Sequence, residues 1–304
     1  MAIHFFNTTF QFNCTMHIRE IQAKIKSIGT TRKITRAMEM LARAKAPAAR
    51  KRAGSFRPYA EHMRAIALHM QAANPEFVSP FLRKQVPVRR VGLIVVSTDR
   101  GLCGPLNSRL LLQCVERLAA WDRDAIGARV SVVGARGMGP IARCGAEVVA
   151  HSGALSQALH FESFFGTISV PLGEFLQGEL DEVYIAYNRT TRVPEFEPRI
   201  DRILPLDAQL HPPGDGAPPT PDYLYEPDTG AVIETLLLRY VEAFVYQAVA
   251  ENSACEQYAR MMAMQTATEN ADRLIHDLTR VYQKTRQAQI TTELCEIIAG
   301  AAAL

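Results

Sequence analysis

The sequence lacks the long apolar run that a membrane-spanning helix requires. No stretch of about eighteen consecutive apolar residues occurs in its 304 residues, so no segment is predicted to cross a bilayer. A hydrophobic content of 48% is instead typical of a globular protein with one or two domains.

Residue patterns for metal, nucleotide and acid–base chemistry are also missing. The six cysteines form no C-x-x-C pair and the eight histidines form no H-x-x-x-H pair, so no metal-ligand spacing is present. Asp99, Asp181 and Glu182 are isolated acids without a matching histidine or second carboxylate. We therefore predict no catalytic residue, no cofactor and no metal, and we expect reduced, mostly buried thiols.

Two glycine-containing turns are candidates for phosphate binding, because a doubly wound fold binds phosphate where a strand leads into a helix. The turns Thr98–Asn107 and Gly134–Gly139 contain neither G-x-G-x-x-G nor G-x-x-x-x-G-K-[ST]. A tight structural turn is therefore favoured at Thr98–Asn107, and nucleotide binding is no better supported at Gly134–Gly139.

Residues 1–15 contain no Lys, Arg, Asp or Glu. A secretory signal needs a basic start and a mitochondrial presequence needs arginines, so neither is predicted, and a bacterial source is favoured. Because a periodic helical pattern starts at Met16, residues 1–15 are predicted to be a disordered extension or the result of a mis-assigned start.

Charge is distributed unevenly. Between His17 and Ala72 there are thirteen Lys and Arg against three Glu, a net charge of +10 within a chain whose total is +3. The sequence thus predicts a basic arm on a mildly acidic body. Few aromatic residues interrupt this arm, so an acidic protein partner is favoured over nucleic acid.

The basic arm has the periodicity of a helix that pairs with another helix. Pro47 removes a helical hydrogen bond, so a kink or short break is predicted near Arg43–Pro47. The predicted contact positions are Ile18, Ile21, Ile25 and Ile28, followed by Met38, Leu41, Met63, Ile66 and Met70.

The middle of the chain changes to short β-branched runs that alternate with helical patterns. This alternation predicts a parallel sheet covered on both faces. A proline-rich segment, Glu197–Leu206, is predicted as an edge strand. The predicted strands are Arg90–Thr98, Arg129–Gly134, Ala146–Ala150 and Glu182–Tyr187, and the predicted helices are Leu106–Asp122 and His160–Gly178.

From about Thr229 to Leu304 the sequence reads as one proline-free helix, interrupted only by Gly300, with Asp228 as its N-cap. About 75 helical residues would span roughly 110 Å, so such a helix must be stabilised by another helix or other chains. We predict that it pairs antiparallel with the N-terminal helix. Its predicted contact positions are Leu236, Tyr240, Phe244, Ala248, Ala259, Met262, Leu274, Leu278 and Val281.

The predicted fold class is therefore α/β, with a long antiparallel coiled coil of the N- and C-terminal helices and a central Rossmann-like parallel-sheet domain. The predicted segments are an extension (1–15), an N-terminal coiled-coil helix (16–73), an α/β domain (88–206), a Pro/Gly-rich connector (207–226) and a C-terminal coiled-coil helix (227–304).

Several motifs resemble the gamma subunit of F-type ATP synthases. The opening, Thr31-Arg32-Lys33-Ile34-Thr35-Arg36-Ala37-Met38, is similar to the start of that family. The turn Ser97–Asn107 resembles its S-T-D-R-G-L-C-G-G-L-N motif, with Pro105 in place of the last glycine. The closing run Ile290–Ala303 is similar to its C-terminal signature.

The resemblance implies a non-catalytic rotor that couples proton translocation to ATP synthesis or hydrolysis at the beta subunits. It implies a single copy per complex, in contact with the alpha and beta hexamer, the epsilon subunit and the c-subunit ring, at the cytoplasmic face of the bacterial inner membrane as a peripheral protein. The residues that match the family's contacts with the catalytic subunits are Met38, Arg260, Arg286, Gln287, Thr291, Glu293 and Glu296.

Two alternatives come from other classes of protein. The first is a basic coiled-coil protein that binds nucleic acid, which would bind DNA with a steep salt dependence. The second is a nucleotide-using α/β enzyme with helical dimerisation arms, which would bind ATP or NAD tightly.

Overall fold

The computed structural model describes residues 17–73, 79–82, 85–153, 162–192, 195–206 and 229–302. The predicted extension 1–15, the N-cap Asp228 and the whole predicted connector 207–226 lie outside these residues. The described elements are α1 (Ile18–Ala73), a 3-10 turn (Pro80–Leu82), β1 (Arg90–Val96), α2 (Leu106–Arg123), β2 (Gly127–Val133), α3 (Ala135–Arg143), β3 (Glu147–Ser152), α4 (Glu162–Leu176), β4 (Glu182–Arg192), β5 (Glu195–Leu204) and α5 (Thr229–Ala302).

The chain forms two compact units, and both terminal helices pass from one unit to the other. The end unit consists of Met1–Met40 with Met264–Leu304, and the domain unit consists of Leu41–Ala263. The five-segment division predicted from the sequence stays a prediction, since these units follow packing and not the ends of the helices.

In the end unit, α1 and α5 run antiparallel. Gln22 donates to the Tyr282 hydroxyl at 2.9 Å, and Arg32 pairs with Asp272 at 2.7 Å. Ten residues forward along α1 therefore correspond to ten residues backward along α5. The pairing keeps one register over this length.

Polar residues share the contact face of this pair with apolar ones. On α1, buried Ile21 is followed by half-buried Ile25 and Ile28 and then by buried Thr35, with the spacing of a heptad repeat. The Thr35 hydroxyl lies 2.8 Å from the Thr268 hydroxyl of α5. The two hydroxyl groups thus form a hydrogen bond with each other between the two helices.

Three predicted contact positions are wrong. The exposed fractions are 60% for Leu41, 41% for Met262 and 52% for Leu274. Apolar type alone suggested these positions. In the end unit the buried positions are Ile21 and Thr35 on α1 and Met264, Ala271 and Leu278 on α5, of which Ile21 and Leu278 were predicted. Small and hydroxyl-bearing side chains allow close helix approach but carry a weak apolar signal.

Helix α1 continues through Pro47, so the predicted short break is wrong, while the alternative of a kink at this position stays a prediction. The Pro47 ring lies on the exposed side of the helix, while its neighbour Ala46 is buried. Packing on the buried side therefore outweighs the missing hydrogen bond. Gly300 likewise does not interrupt α5, which extends to Ala302.

Replacing Pro47 with alanine is expected to raise the free energy of unfolding by up to ~3 kcal/mol, because the new amide can donate to the Arg43 carbonyl and the side chain loses no contact. Thermal unfolding followed by circular dichroism at 222 nm measures the change. Ala48→Gly, at the exposed neighbouring position, is the control and should destabilise by about 1 kcal/mol. An unchanged or lower melting temperature for Pro47→Ala would contradict the expectation.

The five strands form one sheet with the order β3-β2-β1-β4-β5. Strands β3, β2, β1 and β4 are parallel, and β5 pairs antiparallel with β4 at the edge. The predicted fold class is confirmed, and so is the edge position of the proline-containing strand. Pro198 lies in that edge strand, opposite Asn188.

Both faces of the sheet are covered, and side chains of β1 alternate between them. Ile94 and Val96 belong to a core that includes α4 and the domain-unit part of α5. Val91, Leu93 and Val95 belong to a second core with α2 and α3. This alternation follows from the period of two along a strand. None of the described helices is both long and apolar enough to cross a membrane.

Helix α3 was not predicted. Its sequence, ARGMGPIAR, contains two glycines and a proline, all poor helix formers. Gly137 is required there, because an added Cβ would lie 2.8 Å from the Ser97 Oγ. The need for a helix between two parallel strands was the available signal.

Candidate functional site

The order of the strands places a switch point at the carboxyl ends of β1 and β4. Strands β2 and β3 extend the sheet to one side of β1, while β4 lies on the other side, and doubly wound folds bind their ligands in the crevice at such a point. The loop after β1 and the end of β4 border this position. Their contacts therefore decide what the domain can bind.

Helix α5 fills this position. Cys103 and Leu106 from the loop after β1 are buried against Cys255 and Ala259 of α5. A Cβ on Gly104 would lie 3.7 Å from the Cβ of Ala263. The described residues thus place the protein's own helix where an enzyme of this fold would hold a nucleotide, as the prediction of a structural turn requires.

Side-chain hydrogen bonds fix the loop itself. The Asn107 amide group donates to the Thr98 hydroxyl at 2.7 Å, and its oxygen accepts from the Thr98 backbone N–H at 3.2 Å. The Thr98 hydroxyl donates to the Arg100 carbonyl at 2.8 Å. Leu102 adopts a left-handed φ of 64° and remains 60% exposed. Such a backbone for leucine costs roughly 1–2 kcal/mol, which these bonds offset.

Arg260 of α5 joins this loop to the helix. Its guanidinium pairs with Glu256 one turn away and lies 3.4 Å from the Gly101 carbonyl. The two side chains are only 11% and 16% exposed. Burial raises the pKa of Glu256, and the ion pair with Arg260 partly opposes that shift.

The buried thiols at this site are unreactive in character. Burial raises the pKa of Cys255 to about 11, and burial also raises the pKa of Cys103.

The isolated acids predicted as ordinary polar groups have protein partners. Asp181 accepts two backbone N–H bonds at 2.6 and 2.9 Å, and Glu182 accepts from Arg202 at 3.1 Å.

The seven residues taken from the family resemblance do not form one cluster. Arg260 lies in the domain unit, whereas Met38 is half-buried on α1 in the end unit. The other five lie on the exposed last turns of α5: Arg286, Gln287, Thr291, Glu293 and Glu296. Their part in subunit contact stays a prediction.

Sequence reasoning missed Glu256 and the buried pair Asn188 and Asn252. The spacing of four between Glu256 and Arg260 on a helix was a usable signal for the ion pair. No local signal existed for the asparagine pair, because Asn188 lies on β4 and Asn252 lies 64 residues later on α5.

An α/β domain inserted between two long pairing helices, with its ligand edge filled by one of them, defines a helical-stalk subunit of a larger assembly. Residues 17–304 match the family model described as ATP synthase. The chain is 47% identical over 288 residues to the ATP synthase gamma chain of Cupriavidus necator, covering 94% of this chain and 99% of that protein. It is also 47% identical over 289 residues to the ATP synthase gamma chain of an Azoarcus species, with the same coverage.

The chain belongs to the family of ATP synthase gamma chains, as the motifs predicted. Two solved structures share its fold. A chain of the Euglena gracilis mitochondrial ATP synthase aligns with a TM-score of 0.63 at 20% identity over 94% of both chains. A chain of the Tetrahymena thermophila mitochondrial ATP synthase central stalk and c-ring aligns with a TM-score of 0.59 at 22% identity, covering 77% of this chain and 99% of that one. The nucleic-acid alternative is not supported by these relatives.

Proposed function

We propose that this chain is the rotating central stalk that couples proton translocation to ATP synthesis and hydrolysis at the beta subunits. The observation that carries the proposal is the end of α5. Every side chain from Arg286 to Ala302 is exposed, and among the described residues the pairing of α1 with α5 reaches the neighbourhood of Tyr282. This end of the helix offers its full circumference to other chains.

One face of that end is apolar. Ile290, Leu294 and Ile297 follow each other at spacings of four and three and are 51–72% exposed. At 3.6 residues per turn they form a single stripe, with Ile298 beside it. Gln287 and Thr291 border the stripe on one side, and Arg286 and Glu293 on the other. The predicted contact residues therefore flank an apolar face that fits a sleeve of surrounding subunits.

The basic arm supports contact with an acidic part of those subunits. Lys26, Lys33 and Arg36 are exposed on α1. Opposite charges speed association and fix orientation more than they add affinity. We propose that an acidic segment of the beta subunits lies against this arm, with Met38 and Arg260 as further contact positions.

The remaining features complete the proposed assembly. The sheet domain lies beside the epsilon subunit and the c-subunit ring, with a single copy of the chain per complex. The complex lies at the cytoplasmic face of a bacterial inner membrane and holds this chain as a peripheral protein. In this proposal catalysis belongs to the beta subunits, as the family resemblance implies.

Reconstitution tests this function directly. Alpha and beta subunits from the same source are purified and mixed with or without this chain, and assembly and ATP hydrolysis are measured. We expect a stable complex with faster hydrolysis only when the chain is present. Equal assembly and equal rates without it would refute the proposal.

A charge in the apolar stripe is expected to weaken the complex. The double substitution Leu294→Asp and Ile297→Asp should lower the affinity of the chain for the hexamer at least ~10-fold, since 1.4 kcal/mol corresponds to tenfold and a buried unpaired carboxylate costs more. The double substitution Ala288→Asp and Cys295→Asp, on the opposite face of the same turns, adds the same number of charges and is the matched control with a smaller expected loss. Equal losses of affinity for both variants would contradict the proposal that the surrounding subunits bind the apolar face.

A further inference from the structure

Near the switch point the contact between α5 and the sheet domain is built from small side chains, whereas larger buried side chains such as Val241, Val245 and Val249 pack nearer the start of α5. Ala248, Ala250, Ala254 and Ala259 are all buried on this part of α5, with exposed fractions of 1–3%. Alanines present low ridges, so they interdigitate little with a facing surface. The small side chains around Asn252 therefore specify the position of this turn of α5 only weakly.

A buried pair of asparagines interrupts this surface. The Asn252 side-chain oxygen accepts from the Asn188 amide group at 2.8 Å and from the Asn188 backbone N–H at 3.3 Å. Asn188 is fully buried and Asn252 is 2% exposed. The side-chain oxygen of Asn252 on α5 thus accepts hydrogen bonds from two N–H groups of Asn188 on β4.

The neighbouring turn of α5 repeats this attachment. The Cys255 thiol donates to the Asn188 carbonyl at 3.4 Å and lies 3.3 Å from the Thr190 hydroxyl. Asn188 and Thr190 belong to the part of β4 that extends beyond its last β1 pair, Val95–Ala186. The polar attachment therefore sits at the switch point that α5 fills.

The pair retains an unfavourable feature that apolar residues would avoid. The Asn188 side-chain oxygen is buried and has no hydrogen-bond partner. Leaving such an atom unpaired costs stability. A buried asparagine in a helix contact is known to specify register at a cost in stability.

We propose that Asn252 and Asn188 fix the register of α5 on the sheet domain, so that torque passes between the domain and the stalk without slipping. They are positioning residues and contact no substrate. The proposal rests on the stalk function proposed above and locates within the chain the attachment that carries the torque.

The central test separates register from stability. In the double variant Asn188→Leu/Asn252→Leu both side chains become apolar and the Asn188 backbone N–H loses its acceptor, so the chain should melt somewhat lower but stay folded at 25 °C, while the register is no longer specified. Asn252→Asp keeps the accepting oxygen but adds a buried charge, so it should melt lower and keep the register. Asn270→Leu, at an exposed position of α5, controls for the gain in helix propensity.

Register is measured on the full chain by the distance between two spin labels. One label is placed on exposed Cys144 of the sheet domain and the other on Thr235→Cys of α5, with Cys14 and Cys295 replaced by serine. The native chain and Asn252→Asp should give one narrow distance, and the double leucine variant a broad or shifted distribution. A narrow, unshifted distance in the double variant would overturn the proposal.

The same variants are then assembled into the complete membrane complex. The double leucine variant should hydrolyse ATP like the native complex without load, but pump several-fold fewer protons per ATP against a gradient. Asn252→Asp should pump normally despite its lower melting temperature. If proton pumping falls in the same order as the melting temperatures of the variants, the pair has only a structural role and the proposal is overturned. If the native chain fails to assemble into the complex, the stalk function is refuted, but the spin-label distances still test the register.

Discussion

Replacing Arg260 with methionine is expected to lower the free energy of unfolding of the domain unit by about 3 kcal/mol, because removal of one partner leaves the buried Glu256 carboxylate uncompensated. The side chains are 11% and 16% exposed, so solvent screens the pair only weakly. Trp121 is the single tryptophan, is 5% exposed and lies in the domain unit, so its fluorescence in a urea titration reports this unfolding.

Two further variants show whether the lost ion pair is the cause. Glu256→Gln combined with Arg260→Met removes the unpaired charge and should recover most of the loss. Arg239→Met breaks the Arg239–Glu242 pair on the same helix, but Arg239 is 61% exposed there, so a loss under about 1 kcal/mol is expected. Equal losses for Arg239→Met and Arg260→Met would show that the site has no special electrostatic role.

The pH dependence follows from the raised pKa of Glu256. A carboxyl with a raised pKa binds more protons in the folded chain, so its favourable contribution is present below the unfolded pKa and is lost as the pH rises through the folded pKa. Arg260→Met removes the ion pair that lowers this pKa, so the loss extends to higher pH. The difference from the native chain should therefore be smaller near pH 5 than at about pH 8.

The Arg260–Glu256 pair also bears on the contact that was predicted for Arg260. Arg260 was expected to reach the catalytic subunits, yet in the structure it is bound to Glu256 and lies beside the Gly101 carbonyl. Its side chain holds the loop that presents Leu102 to solvent. The contact of Arg260 with the catalytic subunits stays a prediction.

The sequence predicted the elements that depend on local patterns. Continuous β-branched runs such as β1 and the long proline-free run of α5 have strong periodic signals, and the family motifs added the class of protein. The polar contacts could not be predicted, because they join distant residues. The Thr35–Thr268 hydroxyl pair and the Asn188–Asn252 pair depend on a register that only the folded chain defines. Pro47 also shows that packing can outweigh a local rule.

Replacing Gly134 with alanine is expected to destabilise the domain unit by more than ~4 kcal/mol, enough to prevent folding. Gly134 has a φ of 96°, and an added Cβ would lie 2.4 Å from the Ser97 carbonyl oxygen, a backbone atom that cannot move aside. The Ser97 hydroxyl also donates to the Gly134 carbonyl and accepts from Gly137, so any shift breaks the junction of β1, β2 and α3.

Gly145→Ala is the matched control for this substitution, since Gly145 has a φ of 78° but nothing within 4 Å of an added Cβ. It carries only the cost of a left-handed backbone, about 1–2 kcal/mol. Soluble expression and Trp121 fluorescence distinguish the two variants. A Gly134→Ala chain as stable as Gly145→Ala would mean that β2 and α3 can separate from Ser97 at little cost. The difference in stability between Gly134→Ala and Gly145→Ala therefore measures the close contact of Gly134 with Ser97, separately from the cost of a left-handed backbone.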